Sequence, residues 1–488
     1  MSETALMSAS RRLPWLANPN SALLLSATLR QFLLLFFTIL SISAYLTVVA
    51  GNHYVAPHAS VLIVVSALYF IFLCLISITK RAYYWAALPL VILTVPNAIN
   101  DLFPSIYMGP PDASVAPPAF ALFTHIDLFL LLGLLRYGRF SLSKQLLAAV
   151  FVALITTFFV FVNYLTGAWP TDGIYGLYQL RYVLLTYLVF REVRFGSARR
   201  LFALGLISAI SLTLIETLLF TFLIALPGHL ISGNLGKNPL GHFAAAALCF
   251  FIFYRPSKAV LLHKYLPLGI ATILMIGSGT RFSILAASVS VLVVYLLRSS
   301  TVIKSAAYGF FGIAAILTIL ITTPQGKSIV EGIAHVSEDI SAPYLIERTP
   351  ESSSIITRVE VWLKTADMAR THWLTGVGPG NWSFLKADWD IRYGDLLDPH
   401  NDVLNFFVSY GVPFGLLFFA AVLCYPLIGG YRASFKSHDD FLQSCFAFIL
   451  CIAITGLTNA TLWKHQIFAL TVIFSCILIF SRQRQSKK

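Results

Sequence analysis

From Phe32 onward the sequence consists of apolar runs joined by short polar connections. Runs that cross or nearly cross a bilayer begin at Phe32, Ala59, Tyr83, Ala119, Leu146, Ile174, Leu201, Leu240, Leu266, Phe282, Ala306, Val412, Phe441 and Ile467. A spanning helix takes about 20 apolar residues and several runs are shorter, so the pattern predicts roughly 12 to 14 transmembrane helices. The pattern changes only between Thr322 and Asn401, the one long polar stretch. Within it Ile355, Val359, Trp362, Leu363 and Ala366 recur at helical spacing, which predicts an amphipathic helix from Ile355 to His372 lying against an apolar surface. The run Gly376-Val377-Gly378-Pro379-Gly380 must end that helix, because glycine and proline supply backbone that a helix cannot use. His400 then stands at the foot of the next apolar helix, with Tyr410-Gly411-Val412-Pro413-Phe414-Gly415 further along it. The predicted class is an all-α polytopic membrane protein with one large helical outer loop. Its parts are an N-terminal segment 1–31, transmembrane helices over 32–322, the loop 323–411, transmembrane helices over 412–480 and a tail 481–488.

Composition agrees with that class. Hydrophobic residues make up 58% of the chain and charged residues 11%, with a mean hydropathy of +0.79. Soluble proteins carry about 25% charged residues. The first apolar run follows a polar start containing Arg11 and Arg12 and has no convincing small-residue cleavage site, so it reads as a retained span. All six cysteines fall inside apolar runs, where they read as small buried hydrophobes and not as a disulfide or metal framework.

The net charge of +13 raises the question of nucleic acid, and the distribution of the cations answers it. With the N-terminus inside, the cytoplasmic connections hold Lys80/Arg81, Arg136/Arg139/Lys144, Arg191/Arg194/Arg199/Arg200, Arg255/Lys258/Lys264, Arg298/Lys304, Arg432/Lys436 and Arg482/Arg484/Lys487/Lys488. With Arg11, Arg12 and Arg30 these are 23 of the 34 Lys and Arg residues. That alternation is the positive-inside signal, so both termini are expected in the cytoplasm and nucleic acid is not the partner. The long loop then faces outward, to the periplasm in a Gram-negative host. It carries seven basic residues against twelve acidic ones, a balance of −5, so an anionic substrate must be met by a few placed cations.

Charges near spans are costly and each needs a reason. Arg281 follows Gly277-Ser278-Gly279-Thr280 and opens an apolar run; it is either an anion clamp beside a helix N-terminus or an arginine snorkelling to the interface. Arg181 lies inside a run and either meets an anion or pairs with Glu216 or Asp127. His125, Asp127, Glu216, Lys464 and His465 form a scattered set that a proton-relaying transporter could use, but a relay gives no reason for the motif-bearing loop. His400 is the best candidate base, since imidazole takes up and releases a proton near neutral pH, and Asp398 and Asp402 are close enough in sequence to orient it. Its bland alternative is a packed interfacial histidine. Two carboxylates without further ligands are a weak metal signal.

Arg358-x-x-x-Trp362 on a helix, the turn Thr375 to Trp382, and Pro399-His400-Asn401 before a glycine-broken helix resemble the C-terminal signature of the O-antigen ligase and O-antigen polymerase family. The resemblance covers about Leu266 to Leu427. It implies a metal-independent, cofactor-free, inverting membrane glycosyltransferase of the bacterial inner membrane, working on the periplasmic side. The donor implied is an undecaprenyl-pyrophosphate-linked glycan. The acceptor is lipid A-core sugar for a ligase in lipopolysaccharide biosynthesis, a second lipid-linked repeat for a polymerase, or a protein Ser/Thr for a protein O-oligosaccharyltransferase. It implies pyrophosphate binding by Arg281 together with an earlier cation. At the earlier position this sequence offers Lys237, a point charge without arginine's planar fork, which leaves Arg181 as a competitor. His400 is implied as the catalytic base, with Arg358, Trp362, Asp398, Asn401 and Asp402 supporting it.

Overall fold

The structure, a computed structural model, describes residues 59–95, 99, 105–107, 119–121, 124–139, 172–223, 235, 237–254, 261–299, 301–322, 327, 350–378, 381–391 and 398–485. The runs predicted from Phe32 and Leu146 lie outside these, as does much of the outer loop. The helices are α1 (Ala59–Thr79), α2 (Arg81–Thr94), α3 (His125–Tyr137), α4 (Asp172–Glu192), α5 (Arg199–Leu223), α6 (Lys237–Phe253), α7 (Leu261–Gly277), α8 (Arg281–Arg298), α9 (Val302–Thr322), α10 (Pro350–Thr371), the short α11 (Trp382–Leu385), α12 (Asp402–Phe419), α13 (Tyr425–Phe435), α14 (Asp440–Thr455) and α15 (His465–Gln485). The protein is an all-α membrane protein. Among the described residues, Arg199–Leu218, Arg281–Arg298 and Asp402–Phe435 are long and apolar enough to cross a bilayer, and five shorter apolar helices pack with them.

Two local departures from the pattern have clear causes. The run expected to start a span at Ala119 instead begins as strand β2 (Ala119–Ala121), paired antiparallel with β1 (Ser105–Tyr107) so that Ile106 faces Phe120. The helix starts at His125 because Thr124 and Asp127 form a reciprocal cap: the Thr124 hydroxyl accepts from the Asp127 N–H, and the Asp127 carboxylate accepts from the Thr124 N–H. The second departure is the helix carrying Val412, which starts earlier, at Asp402. It breaks at Gly411 (φ 77°, ψ 160°), the boundary read from sequence, and loosens again in a π-turn at Ala420–Cys424.

At the centre, α6 packs against α7, α8 and α14, with Ala244 to Ala247 all buried. Small side chains there let helix backbones approach closely, the usual basis of packing where lipid supplies no hydrophobic drive. At one end of the bundle Arg199 pairs with Asp439 and Arg298 with Asp440, joining the beginnings of α5 and α14 to the end of α8. The Trp85 indole donates to the Arg194 carbonyl, and Phe195 packs on Trp85, Phe202 and Phe441 at the same end. Several connections predicted to share the basic, cytoplasmic side therefore meet at one end. The other end is tied by the Asp402 N–H donating to Gly456 O (2.8 Å), Asn401 Nδ2 donating to Leu457 O (2.8 Å), and Tyr410 donating to Gln179 (3.0 Å).

The amphipathic helix of the long polar loop is α10, but the face it buries is rotated from the expected one. Val361, Thr365, Met368 and Ala369 are buried against Val377, Trp382, Ile391 and Val408, while Leu363 is 64% exposed and Ala366 is exposed. The chain returns close against this face of the helix. The Trp382 indole donates to the Thr365 hydroxyl at 2.9 Å, a distance that a leucine at 365 would not permit.

Candidate functional site at the foot of α12

The turn after α10 and the break in α12 are one structure. Val377 N–H donates to Val408 O (2.7 Å), Gly378 N–H to Ser409 O (3.1 Å) and Val412 N–H to Trp373 O (2.7 Å). Both glycines at the crossing have positive φ, 69° at Gly376 and 77° at Gly411. A Cβ on Gly376 would meet the Ser409 carbonyl and one on Gly411 the Leu374 carbonyl, so neither position accepts a side chain. The loop is thus stitched to the helix whose foot carries His400. Asn381 Nδ2 donates to Val377 O (2.7 Å) and holds the turn closed.

His400 sits in the left-handed region (φ 52°), a strained place for a non-glycine residue. Asp398 holds it there by accepting from both the His400 backbone N–H (2.8 Å) and the ring Nδ1 (2.7 Å). In the neutral ring an acceptor on Nδ1 places the proton on that nitrogen and the lone pair on Nε2, the arrangement a general base requires. The side chain is 28% exposed. Asn401 caps α12 through the Leu404 N–H (3.0 Å).

Asp402 does not orient His400, contrary to expectation. Its buried carboxylate accepts the Leu462 N–H through both oxygens (3.0 and 3.2 Å), and Gly456 leaves room for it. As the first residue of α12 it points back into the bundle, where it fixes the foot of the helix to the 456–462 connection.

Arg358, one helical turn before Trp362 on α10, lies within electrostatic reach of Asp398. Burial shifts its guanidinium towards losing its proton and the Asp398 carboxylate opposes that shift. Among the described residues the guanidinium has no hydrogen-bonded partner, and the half-buried Trp362 likewise has a buried indole N–H without one. On the facing side is His242 of α6, which no motif marks in the sequence. It is within electrostatic reach of both Arg358 and His400, and its Nδ1 is 2.9 Å from the Ser283 hydroxyl in the first turn of α8.

That contact brings in Arg281. The N-terminal parts of α6 and α8 abut: a Cβ on Gly241 would collide with the Ser278 and Thr280 hydroxyls of the turn before Arg281. Arg281 opens α8 with its side chain exposed, beside backbone N–H groups that the Thr280 side chain does not cap. Lys237 opens α6 on the same side; its side chain lies outside the described residues. Arg181 is elsewhere and engaged, its guanidinium meeting Asp127 at 2.8 Å, the pairing weighed above. His400, Asp398, Arg358, His242, Ser283 and the α8 N-terminus thus form one connected polar region, while Arg181 belongs to the bundle interior.

No curated protein matches the chain. Residues 266–420, which run from α7 through the turn and His400 to the π-turn, match the family model for O-antigen ligase.

Proposed function

We propose that the protein transfers a glycan from undecaprenyl pyrophosphate to an acceptor hydroxyl on the outer face of the bacterial inner membrane, the acceptor being the lipid A-core sugar of lipopolysaccharide. The observation that carries this reading is the Asp398–His400 pair, in which Asp398 meets Nδ1 and leaves Nε2 of the neutral ring as the acceptor, near a half-buried arginine. In the proposed step His400 Nε2 takes the proton of the acceptor hydroxyl. The acceptor oxygen forms a bond to the anomeric carbon as the bond from that carbon to the phosphate oxygen breaks. The electron pair leaves on undecaprenyl pyrophosphate, and a single displacement inverts the sugar centre. Pyrophosphate is already a good leaving group, so the protein's task on the donor side is to hold negative charge.

Arg281 at the α8 N-terminus is the first cation for that task. Arg358 replaces Lys237 and Arg181 as our choice for the second. Its electrostatic reach to Asp398 and its lack of a hydrogen-bonded partner among the described residues support the role, whereas Arg181 is neutralised by Asp127. Arginine's planar fork suits two phosphate oxygens. Metal-independence follows in this reading from two cations doing the work of a divalent ion.

Deleting the gene and running lipopolysaccharide on a gel tests the assignment of acceptor. Loss of all attached glycan supports ligation. A single attached repeat indicates a polymerase, and a normal ladder contradicts both.

A further inference from the structure

His242 is a buried polar group at this site without an explanation. It is 1% exposed, lies outside the family-matched stretch, and its Nε2 has no hydrogen-bond partner among the described residues. A buried polar atom left unpaired costs about 1–3 kcal/mol, so its retention calls for a reason.

The tautomer follows from counting partners. The Ser283 hydroxyl has no hydrogen-bond partner among the described residues besides His242 Nδ1. If the ring donated from Nδ1, both the Ser283 hydroxyl proton and the Nε2 lone pair would be orphaned. If Ser283 donates to Nδ1, only the Nε2 N–H is left over. The second arrangement leaves fewer groups unpaired, so His242 presents an N–H donor at Nε2. The charged groups facing it are Arg358 and His400, and the helix start carrying Arg281 packs beside it through Gly241 and Ser283. Donors and cations converge on this place, and the Trp362 N–H is a further unpaired donor on the Arg358 face of α10. The missing partner is an acceptor with negative charge.

We propose that His242 is a substrate-binding residue whose Nε2 N–H donates to a phosphoryl oxygen of the lipid-linked donor, with Ser283 holding the ring in the donating tautomer. This rests on the reading of the site given above and adds to it a neutral donor near Arg358 and the helix start that carries Arg281. Such a donor orients the leaving group without adding a third positive charge. His242 and His400 then have opposite tautomers and opposite tasks: one gives a hydrogen bond to the leaving group, the other takes a proton from the acceptor.

The amide side chains separate the two ends of the ring. Glutamine places an NH2 near the position of Nε2, whereas asparagine places its amide near Nδ1 and keeps only the contact to Ser283. The measurement is the affinity of purified full-length wild type, His242→Gln and His242→Asn for undecaprenyl pyrophosphate, with phosphatidylglycerol as the control anionic lipid, on protein matched for folded fraction by size exclusion. We expect His242→Gln within about threefold of wild type and His242→Asn weaker by about 10- to 100-fold for the pyrophosphate lipid, as for a hydrogen bond to a charged group. Phosphatidylglycerol binding should not change. Equal affinities in the two variants, or better binding by His242→Asn, overturn the inference and make His242 a packing residue held by Ser283. A loss confined to phosphatidylglycerol also overturns it. A wild-type protein that does not bind undecaprenyl pyrophosphate contradicts the underlying functional reading, and the inference falls with it.

Discussion

Asp398 and Asp402 flank His400, and their environments give them different work. Asp398 accepts from the ring, so its loss should act on chemistry. Asp398→Asn keeps an acceptor oxygen but loses the charge that steadies a protonated ring; transfer should slow by about 10- to 100-fold, with the melting temperature little changed. Asp402 accepts a backbone N–H inside the bundle, so Asp402→Asn should cost about 1–3 kcal/mol of stability. Its turnover per folded molecule should stay within a fewfold of wild type. Thermal unfolding and transfer rates measured on the same preparations check both, and a stable but inactive Asp402→Asn would reverse the assignment. Sequence alone makes the two aspartates look equivalent, because it shows that both are near His400 but not that α12 starts between them. The His400–Asp398 pair was legible because its partners are two residues apart. His242 was not, since a lone histidine in an apolar run carries no signal until Arg358 and Ser283 are brought to it.

Among the elements, the unit that matters is the crossing of the post-α10 turn with the break in α12. Gly376 and Gly411 each have positive φ, and a Cβ on either would meet backbone of the opposing segment, Ser409 and Gly411 for Gly376 and Leu374 and Thr375 for Gly411. Gly376→Ala and Gly411→Ala should therefore each destabilise the loop by about 1–3 kcal/mol or more, and the double variant should cost clearly less than the sum, because both changes break the same contact. Limited proteolysis within 373–391 reads this directly. Additive losses would mean that the two glycines serve separate structures. The break at Gly411 and the turn at Gly376 were both visible as punctuation in the sequence, and their pairing was not, since glycine reports backbone freedom and not what approaches it. Likewise the spacing of Leu363 and Ala366 predicted a helix correctly but the wrong buried face. Burial on α10 was decided by the returning Trp382 and its bond to Thr365, not by which residues are most apolar.

At the scale of the whole molecule, the basic connections gather at one end of the bundle, and Asp398 to Asp402 with the 456–462 connection lie at the other. The proposed site is therefore outside if the basic end is cytoplasmic. In a cysteine-free background, Leu457→Cys should react with an impermeant thiol reagent in spheroplasts and Ser437→Cys only after lysis. The reverse pattern would put the site on the wrong side of the membrane. The α-helical class was legible from hydropathy because a bilayer allows so few structures. The convergence of α6, α8, α10 and α12 on one site was not, since its members are spread from His242 to His400. Proton removal by His400 is the step on which the proposed chemistry depends. The most direct measurement is transfer of glycan by purified wild-type and His400→Ala protein at saturating undecaprenyl-pyrophosphate-linked donor. We predict a rate reduced by about 10²–10⁴-fold with donor affinity retained, and a variant that keeps more than about a tenth of the wild-type rate contradicts the role assigned to His400.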